Sequence, residues 1–171
     1  MPDPQPFRIR PVEPGDLEWV REELTRNWGS TRIWSIGRSF EADALPGLVA
    51  VDPSGGPIGL VTYSLEEHVR PHECEVVTLS SRAENAGVGT ALLDAAIAAA
   101  KEAGRARIFL TTTNDNLRAL GFYQRRGWVL VKLHAGIIVR ARHRYPGIPK
   151  IGMNGIPWRD EIELEYRPGE E

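Results

Sequence analysis

A chain of 171 residues has the length of one domain, which excludes two large ones. With 42% hydrophobic residues it can bury a core without disulfides or a structural metal. The 21 Lys plus Arg against 23 Asp plus Glu, a net charge of -2, offer no broad field for a polyanion, so general nucleic-acid binding is disfavoured.

The lone cysteine, Cys74, cannot form an internal disulfide. The chain has no basic-then-apolar leader, and no apolar run approaches the ~20 residues of a bilayer span, so a cytoplasmic protein without a membrane segment is expected.

Phe7–Val12 alternates with period two, and Asp16 is placed to cap a helix through Trp19, Val20 and Leu24. The stretch from Trp28 to Pro46 carries Trp28, Arg32, Trp34, Arg38 and Phe40 without a repeat and reads as irregular or short-helical. Leu48–Val51 and Ile58–Tyr63 are β-rich runs joined by Pro53-Ser54-Gly55-Gly56-Pro57, a hairpin signal. Glu73–Leu79 adds a third strand after the charged turn Glu66–His72, completing a meander.

After the loop Ser81–Gly89, Leu93, Ala96, Ile97 and Ala100 fall at helical spacing, and Gly104 sits where a left-handed cap belongs. Arg107–Thr112 reads as a buried strand, so the helix before it implies a right-handed parallel crossover. Asn114–Arg126 is a short helix and Trp128–Leu133 a strand. A segment from His134 to Arg159, with a basic helix at Ile137–Tyr145 and a tight turn at Met153–Ile156, precedes the alternating strand Glu161–Tyr166. An unstructured loop of that length would be unusual, so it is expected as an ordered cover over one end of the sheet.

The chemistry begins at Gly87-Val88-Gly89, between a strand and a long helix. Glycines let backbone approach a ligand, and the free N–H groups of a helix's first turn, at the positive end of its dipole, bind phosphate. A Walker loop would need Lys after Gly89, where Thr90 stands, and a dinucleotide fingerprint would need glycine at Leu92. Glycines that merely shape a turn remain the plain alternative for this motif alone.

Further on, Asn116-Leu117-Arg118-Ala119-Leu120-Gly121-Phe122-Tyr123-Gln124-Arg125-Arg126-Gly127-Trp128 resembles the Asn-x-x-Ala-x-x-Phe-Tyr-x-x-x-Gly-Phe/Trp pattern of the GCN5-related N-acetyltransferases (GNAT). The likeness spans Phe7 to Leu133, with Glu161–Tyr166 as the final strand. The segment from Arg142 to Glu163, including Gly155-Ile156-Pro157 and Arg159-Asp160-Glu161-Ile162, resembles a bacterial subgroup of largely unassigned members.

The resemblance implies an α/β (α+β) fold over residues 1–171, with 134–160 an inserted cover. Its mixed, mostly antiparallel twisted sheet has six to seven strands flanked by helices, and an acyl-CoA cleft opens between two splayed parallel strands. It implies acetyl-CoA as cofactor, with no metal. The amides of Asn85, Ala86, Gly87, Val88, Gly89 and Thr90 would face the diphosphate, and Val77, Leu79, Asn116, Tyr123 and Arg126 would complete the cofactor site. The family usually has Arg or Gln where Glu84 stands; its side chain is expected to turn outward, with Arg82, Arg125 or Arg126 offsetting it.

Aminolysis of a thioester needs a neutral amine and a protonated leaving thiolate, and a tyrosine of pKa ~10 can donate to a thiolate whose conjugate acid is near ~8.5. Tyr123 is the candidate acid, and Asn116 resembles the family's asparagine that hydrogen-bonds the cofactor arm, directly or through water. A main-chain N–H near Leu79, at an expected bulge, would polarise the carbonyl. Glu75 leads as base, with Glu66, His68 or a water chain as substitutes.

By the same resemblance Trp28, Arg32, Trp34 and Arg38 occupy the position where this fold usually builds its acceptor pocket, which Tyr145, Trp158 and Asp160 would close; core packing and helix pairing explain the Trp residues equally well. His68-x3-His72-x-Cys74 is too few ligands for structural zinc. The expected activity is acetyl transfer to a small-molecule or peptide amine in a ternary complex; the alternative is a non-catalytic acyl-CoA sensor. Dimers are common in the family, and no residue here decides for or against a homodimer.

Overall fold

The computed structural model describes residues 6–66, 71–83 and 85–169. They divide into two units, one drawn from Met1–Ile33 and Ser39–Ala106, the other from Trp34–Arg38 and Arg107–Glu171. His68 and Glu84 lie outside the described residues.

The first unit is a four-strand antiparallel meander between helices. Strand β1 (Arg8–Pro11) pairs with β4 (Gly47–Val51), β4 with β5 (Pro57–Ser64), and β5 with β6 (Glu73–Ser81). Two helices cover opposite faces. On one, Val20 and Leu24 of α1 (Leu17–Trp28) pack with Val49, Val51 and Leu60. On the other, Val88 and Leu92 of α2 (Val88–Glu102) close on β5 at Gly59. Cover on both sides explains why β5 reads as a continuous apolar run rather than an alternation. Each fully buried Leu or Val contributes about 1.5–3 kcal/mol.

Helix α2 ends as its sequence indicates. Gly104 has φ 71, its N–H donates to Lys101 O and that of Arg105 to Ala100 O, closing the last turn. Asp16 has another task than the one expected. Its carboxylate takes two bonds from Arg10, at 2.6 and 2.9 Å, and the Glu13 N–H at 2.8 Å. It thereby closes a capping box on the short 3-10 turn Pro14–Asp16 and makes no side-chain cap on α1.

The stretch expected to be irregular is a β-hairpin, β2 (Arg32–Ser35) and β3 (Arg38–Glu41), followed by a 3-10 turn at Ala42–Ala44. Its turn residues Ile36 and Gly37 both have positive φ, 50 and 74, the conformation of a tight two-residue hairpin.

In the second unit β9 (Glu161–Tyr166) runs between β7 (Arg107–Thr113) and β8 (Trp128–His134), antiparallel to both, with Thr111 opposite Glu163 and Leu130 opposite Leu164. The last strand of the chain is thus central in its unit. Helix α3 (Leu117–Gln124) packs on β8. Seven strands with flanking helices, mostly antiparallel, are the fold class the sequence indicates.

The segment between β8 and β9 is ordered by its own polar bonds. It contains α4 (Ile137–Arg144), whose Arg142 guanidinium gathers the carbonyls of Ile148, Pro149 and Trp158. A second anchor lies before α3: Asn114 Oδ1 accepts the N–H groups of Arg159 and Asp160, both at 3.0 Å, and Asp115 Oδ2 accepts that of Met153 at 2.7 Å.

Candidate active site

The turn into α2 is built from two left-handed residues, Asn85 (φ 58) and Gly87 (φ 76). Gly87 O accepts the N–H of Ala91 at 3.0 Å, starting the helix. The N–H groups of Asn85, Ala86, Gly87, Val88 and Gly89 donate to no acceptor among the described residues. Five consecutive donors without an acceptor among the described residues, at the positive end of a 15-residue helix, are an arrangement that suits an anion. Val88 is buried, fixing the first turn, while Asn85, Ala86 and Gly87 are exposed.

Two of the three arginines expected near this loop, Arg82 and Arg126, have partners. Arg82 Nε lies 2.7 Å from a carboxylate oxygen of Glu23, a residue 1% exposed, and its guanidinium stacks over Trp19 at 5.0 Å. Arg126 folds back on α3: it donates to Phe122 O at 2.8 Å and lies 3.7 Å from the centre of that ring.

Strand β6 bulges near Leu79, as expected: Thr62 faces Thr78 and Tyr63 faces Val76, so Val77 is the extra residue. Val77 and Leu79 are half-buried. Glu75 is 4% exposed. Next to it, burial and the charge of Glu75 push the Cys74 thiol up to about 12, opposite to what a metal-binding thiolate requires. Among the described residues no three His, Cys, Asp or Glu side chains converge as a metal site, and no helix is long and apolar enough to cross a membrane.

In the second unit, Asn116 is the N-cap of α3, its Oδ1 accepting the Ala119 N–H at 3.1 Å. Its amide nitrogen has no hydrogen bond among the described residues. Tyr123 packs against Phe122 and Trp128, and Trp128 against Tyr166, with centroid separations of 5.3, 5.9 and 5.5 Å. Its hydroxyl makes no hydrogen bond among the described residues, and desolvation raises its pKa above the ordinary tyrosine value.

Of the expected acceptor residues, Trp34 and Tyr145 meet, ring centroids 5.6 Å apart, both solvent-facing at 50% and 41% exposure. Arg32 is engaged with Glu41 across the hairpin at 2.6 Å, and Trp28 is partly exposed at the end of α1.

One polar group escaped the sequence reading. Glu161, Glu163 and Glu165 alternate onto one face of β9. Arg107 pairs with Glu163 and, at 2.8 Å, with Glu165; His134 Nε2 lies 2.8 Å from Glu163. Burial works to raise the pKa of Glu163, but Arg107 and His134 outweigh it and hold it low. Burial raises that of Glu161, against a bond from the Ile36 N–H and the charge of His134. The Glu-x-Glu-x-Glu alternation was visible, but it reads equally as the solvated face of an edge strand.

The described residues make an α/β protein whose first unit has a meander with a donor-lined turn into a long helix and whose second carries a Tyr-bearing helix capped by asparagine. The sequence matches the Acetyltransferase (GNAT) family over residues 17–128, more than half of its length, and the chain belongs to that family. It is 40% identical over 139 residues to the uncharacterized protein YdhI of Bacillus subtilis strain 168, covering 81% of this chain and 84% of that one. It is also 40% identical over 151 residues to the uncharacterized protein YxbD of the same strain, covering 88% and 91%. Among solved structures, a Bacillus subtilis acetyltransferase in complex with CoA shares the fold, with a TM-score of 0.68 at 19% identity over 94% of this chain and 98% of that one.

Proposed function

We propose that the protein transfers the acetyl group of acetyl-CoA to the amine of a small molecule or peptide, by direct attack in a ternary complex. The observation that carries this reading is the run of unspent N–H groups from Asn85 to Gly89 ahead of α2 in a member of the GNAT family. Those donors suit a diphosphate, and the CoA held by the Bacillus subtilis structural relative supports coenzyme A as its source.

Acetyl-CoA supplies an acyl group activated as a thioester. Overall a C–N bond forms and the C–S bond breaks; of the two protons lost by an ammonium acceptor, one ends on the thiol and the other in solvent. Tyr123 is the proposed donor to sulfur: its phenol is spent on no protein acceptor among the described residues, and its raised pKa keeps it protonated at neutral pH. Asn116 keeps an amide N–H pair for the cofactor arm while its Oδ1 caps α3. Val77 and Leu79 would line the arm, and the bulge at Val77 re-aims backbone there.

Calorimetry with acetyl-CoA, followed by thiol release over an amine panel, tests the proposal. Heat of binding with turnover of at least one amine is expected. Binding without release from any amine would instead favour an acyl-CoA sensor, and absence of binding would remove both.

A further inference from the structure

The carboxylate face of β9 contains one member unlike the others. Glu163 and Glu165 are neutralised by Arg107, with His134 added at Glu163 and Arg167 at Glu165. Glu161 has no cation within ion-pair distance among the described residues. Its Oε2 accepts the Ile36 N–H at 2.7 Å, and its Oε1 has no hydrogen bond among those residues. It is half-buried, so that oxygen is reachable from outside.

The turn that binds it is a costly one. Ile36 is β-branched yet sits at φ 50, a strained conformation that persists where surroundings enforce it. Here they do so twice, through Glu161 at Ile36 and through the 2.9 Å contact of Ser35 Oγ with Thr111 Oγ1. Trp34, two residues before Ile36, carries the ring that meets Tyr145. The β2–β3 hairpin thus meets the half-open carboxylate of β9 at Ile36 and carries, at Trp34, one ring of a solvent-facing aromatic pair; a carboxylate and aromatic rings are the groups that take a cation attached to a ring or apolar body.

We infer that Glu161 Oε1 receives the ammonium of the acceptor and takes its first proton, and that this acceptor is a primary amine on a short arm whose ring or apolar body lies against Trp34 and Tyr145. The inference rests on the acetyltransfer reading and names the acceptor side of that reaction. The ammonium N–H bond breaks, its electron pair stays on nitrogen for attack on the acetyl carbon, and Glu161 becomes a carboxylic acid that returns its proton to solvent.

The charged groups around it fit this duty. His134 of β8 faces Glu161 across the strand pair but is bonded to Glu163, which Arg107 of β7 holds ionised. Asp160, the preceding residue, already accepts the Gly136 N–H at 2.6 Å. Burial lifts Glu161 above the usual carboxylate range, toward the neutrality at which a base works best. Glu161 projects to the face of β9 opposite to Ile162, Leu164 and Tyr166, the last of which shares the aromatic cluster of Trp128 and Tyr123.

The test uses the full chain with phenethylamine as cationic probe and 2-phenylethanol as its neutral counterpart. Saturation-transfer NMR should show phenethylammonium binding to the wild type and not 2-phenylethanol, with the signal lost in Glu161→Gln and weakened in Trp34→Ala. In thiol-release assays Glu161→Gln should raise KM for phenethylamine at least tenfold and displace the acidic limb of kcat/KM, while the Kd for CoA stays within twofold. Glu161→Asp should recover part of both, which separates lost chemistry from lost folding, and Glu75→Gln should leave the acidic limb in place.

No phenethylammonium binding by the wild type, or an unmoved acidic limb in a folded Glu161→Gln, overturns the inference; so does an acidic limb that follows Glu75 instead. Failure of the acetyltransfer reading looks different. The probe then binds in a Glu161-dependent way without any thiol release, which sustains Glu161 as the cation site and removes its role as base.

Discussion

A Cβ placed on Gly59 of β5 would lie 2.8 Å from Val88 Cγ1 and 2.9 Å from Leu92 Cδ1. The missing methyl is therefore what lets the first turn of α2 settle on the strand, and with it the donors from Asn85 to Gly89. Gly59→Ala forces the helix outward and should cost about 1–3 kcal/mol of stability, with CoA binding weakened roughly tenfold, or ~1.4 kcal/mol. Gly87→Ala meets no neighbour within 4 Å but must hold φ 76, so it should lose about 1 kcal/mol through backbone strain alone. Calorimetric Kd values alongside melting curves separate the two. Unchanged affinity in Gly59→Ala would show that α2 does not position these donors.

Tyr123→Phe keeps the ring cluster with Phe122 and Trp128 and removes only a hydroxyl that bonds no described residue. Melting temperature should hardly move. If the phenol protonates the departing thiolate, kcat falls about 10²-fold while CoA affinity persists. Because burial raises its pKa, Tyr123 stays the acid form to higher pH than a free tyrosine. The wild-type kcat should therefore show no alkaline decline from this group at pH 9. Full turnover by Tyr123→Phe with a good acceptor would eliminate it as the acid.

How far the sequence carried depended on whether local signals decided the structure. Helix α2, its Gly104 cap and the Pro-Gly-rich hairpin between β4 and β5 use glycine and proline where the backbone demands them, and they were legible. The β2–β3 hairpin was not. Its turn is Ile36-Gly37 rather than Asn-Gly, and a β-branched residue at positive φ is held there by Glu161, 125 positions away. The Val77 bulge carries no glycine or proline and arises from the register of β5 against β6. In the proposed site, the donor run at Asn85–Gly89 and Tyr123 were singled out by local motifs, the Gly-Val-Gly turn and the Asn-x-x-Ala-x-x-Phe-Tyr frame. The Arg107–Glu163–His134 group depends on β9 lying between β7 and β8, a topological fact that no single segment encodes.

Arg10 and Asp16 form the clearest acid-sensitive contact. The Asp16 carboxyl is held below its ordinary value, first by its bonds from Arg10 and then by the Glu13 N–H, against burial. A carboxyl depressed on folding stabilises the native state above its unfolded pKa, and that contribution is lost as pH falls through the folded value. Asp16→Asn should therefore melt a few degrees below wild type at pH 7, with the gap narrowing from about pH 4 downward. A gap that stays constant between pH 7 and pH 3 would mean that the cost is that of the 3-10 turn and not of the ion pair.

The segment between α4 and β9 should be tied to the helix that carries Tyr123 through one small residue. A Cβ on Gly152 would lie 2.0 Å from Asp115 Oδ2, the oxygen that accepts the Met153 N–H. Asp115 is 2% exposed and its main-chain oxygen accepts Asn154 Nδ2 at 3.1 Å; its carboxylate cannot retreat without breaking the bond from Met153. Gly152→Ala is expected to release the Met153–Gly155 turn, costing about 1–3 kcal/mol, and to open the 145–158 stretch to limited proteolysis. Since Asp115 directly precedes the α3 cap Asn116, kcat should fall as well, by several-fold and with less effect on CoA affinity. Asn114→Ala, which removes the bonds to Arg159, Asp160 and Pro157, should reproduce the proteolysis pattern. If both variants resist protease as the wild type does and retain full kcat, then these anchors do not transmit order from the cover to α3.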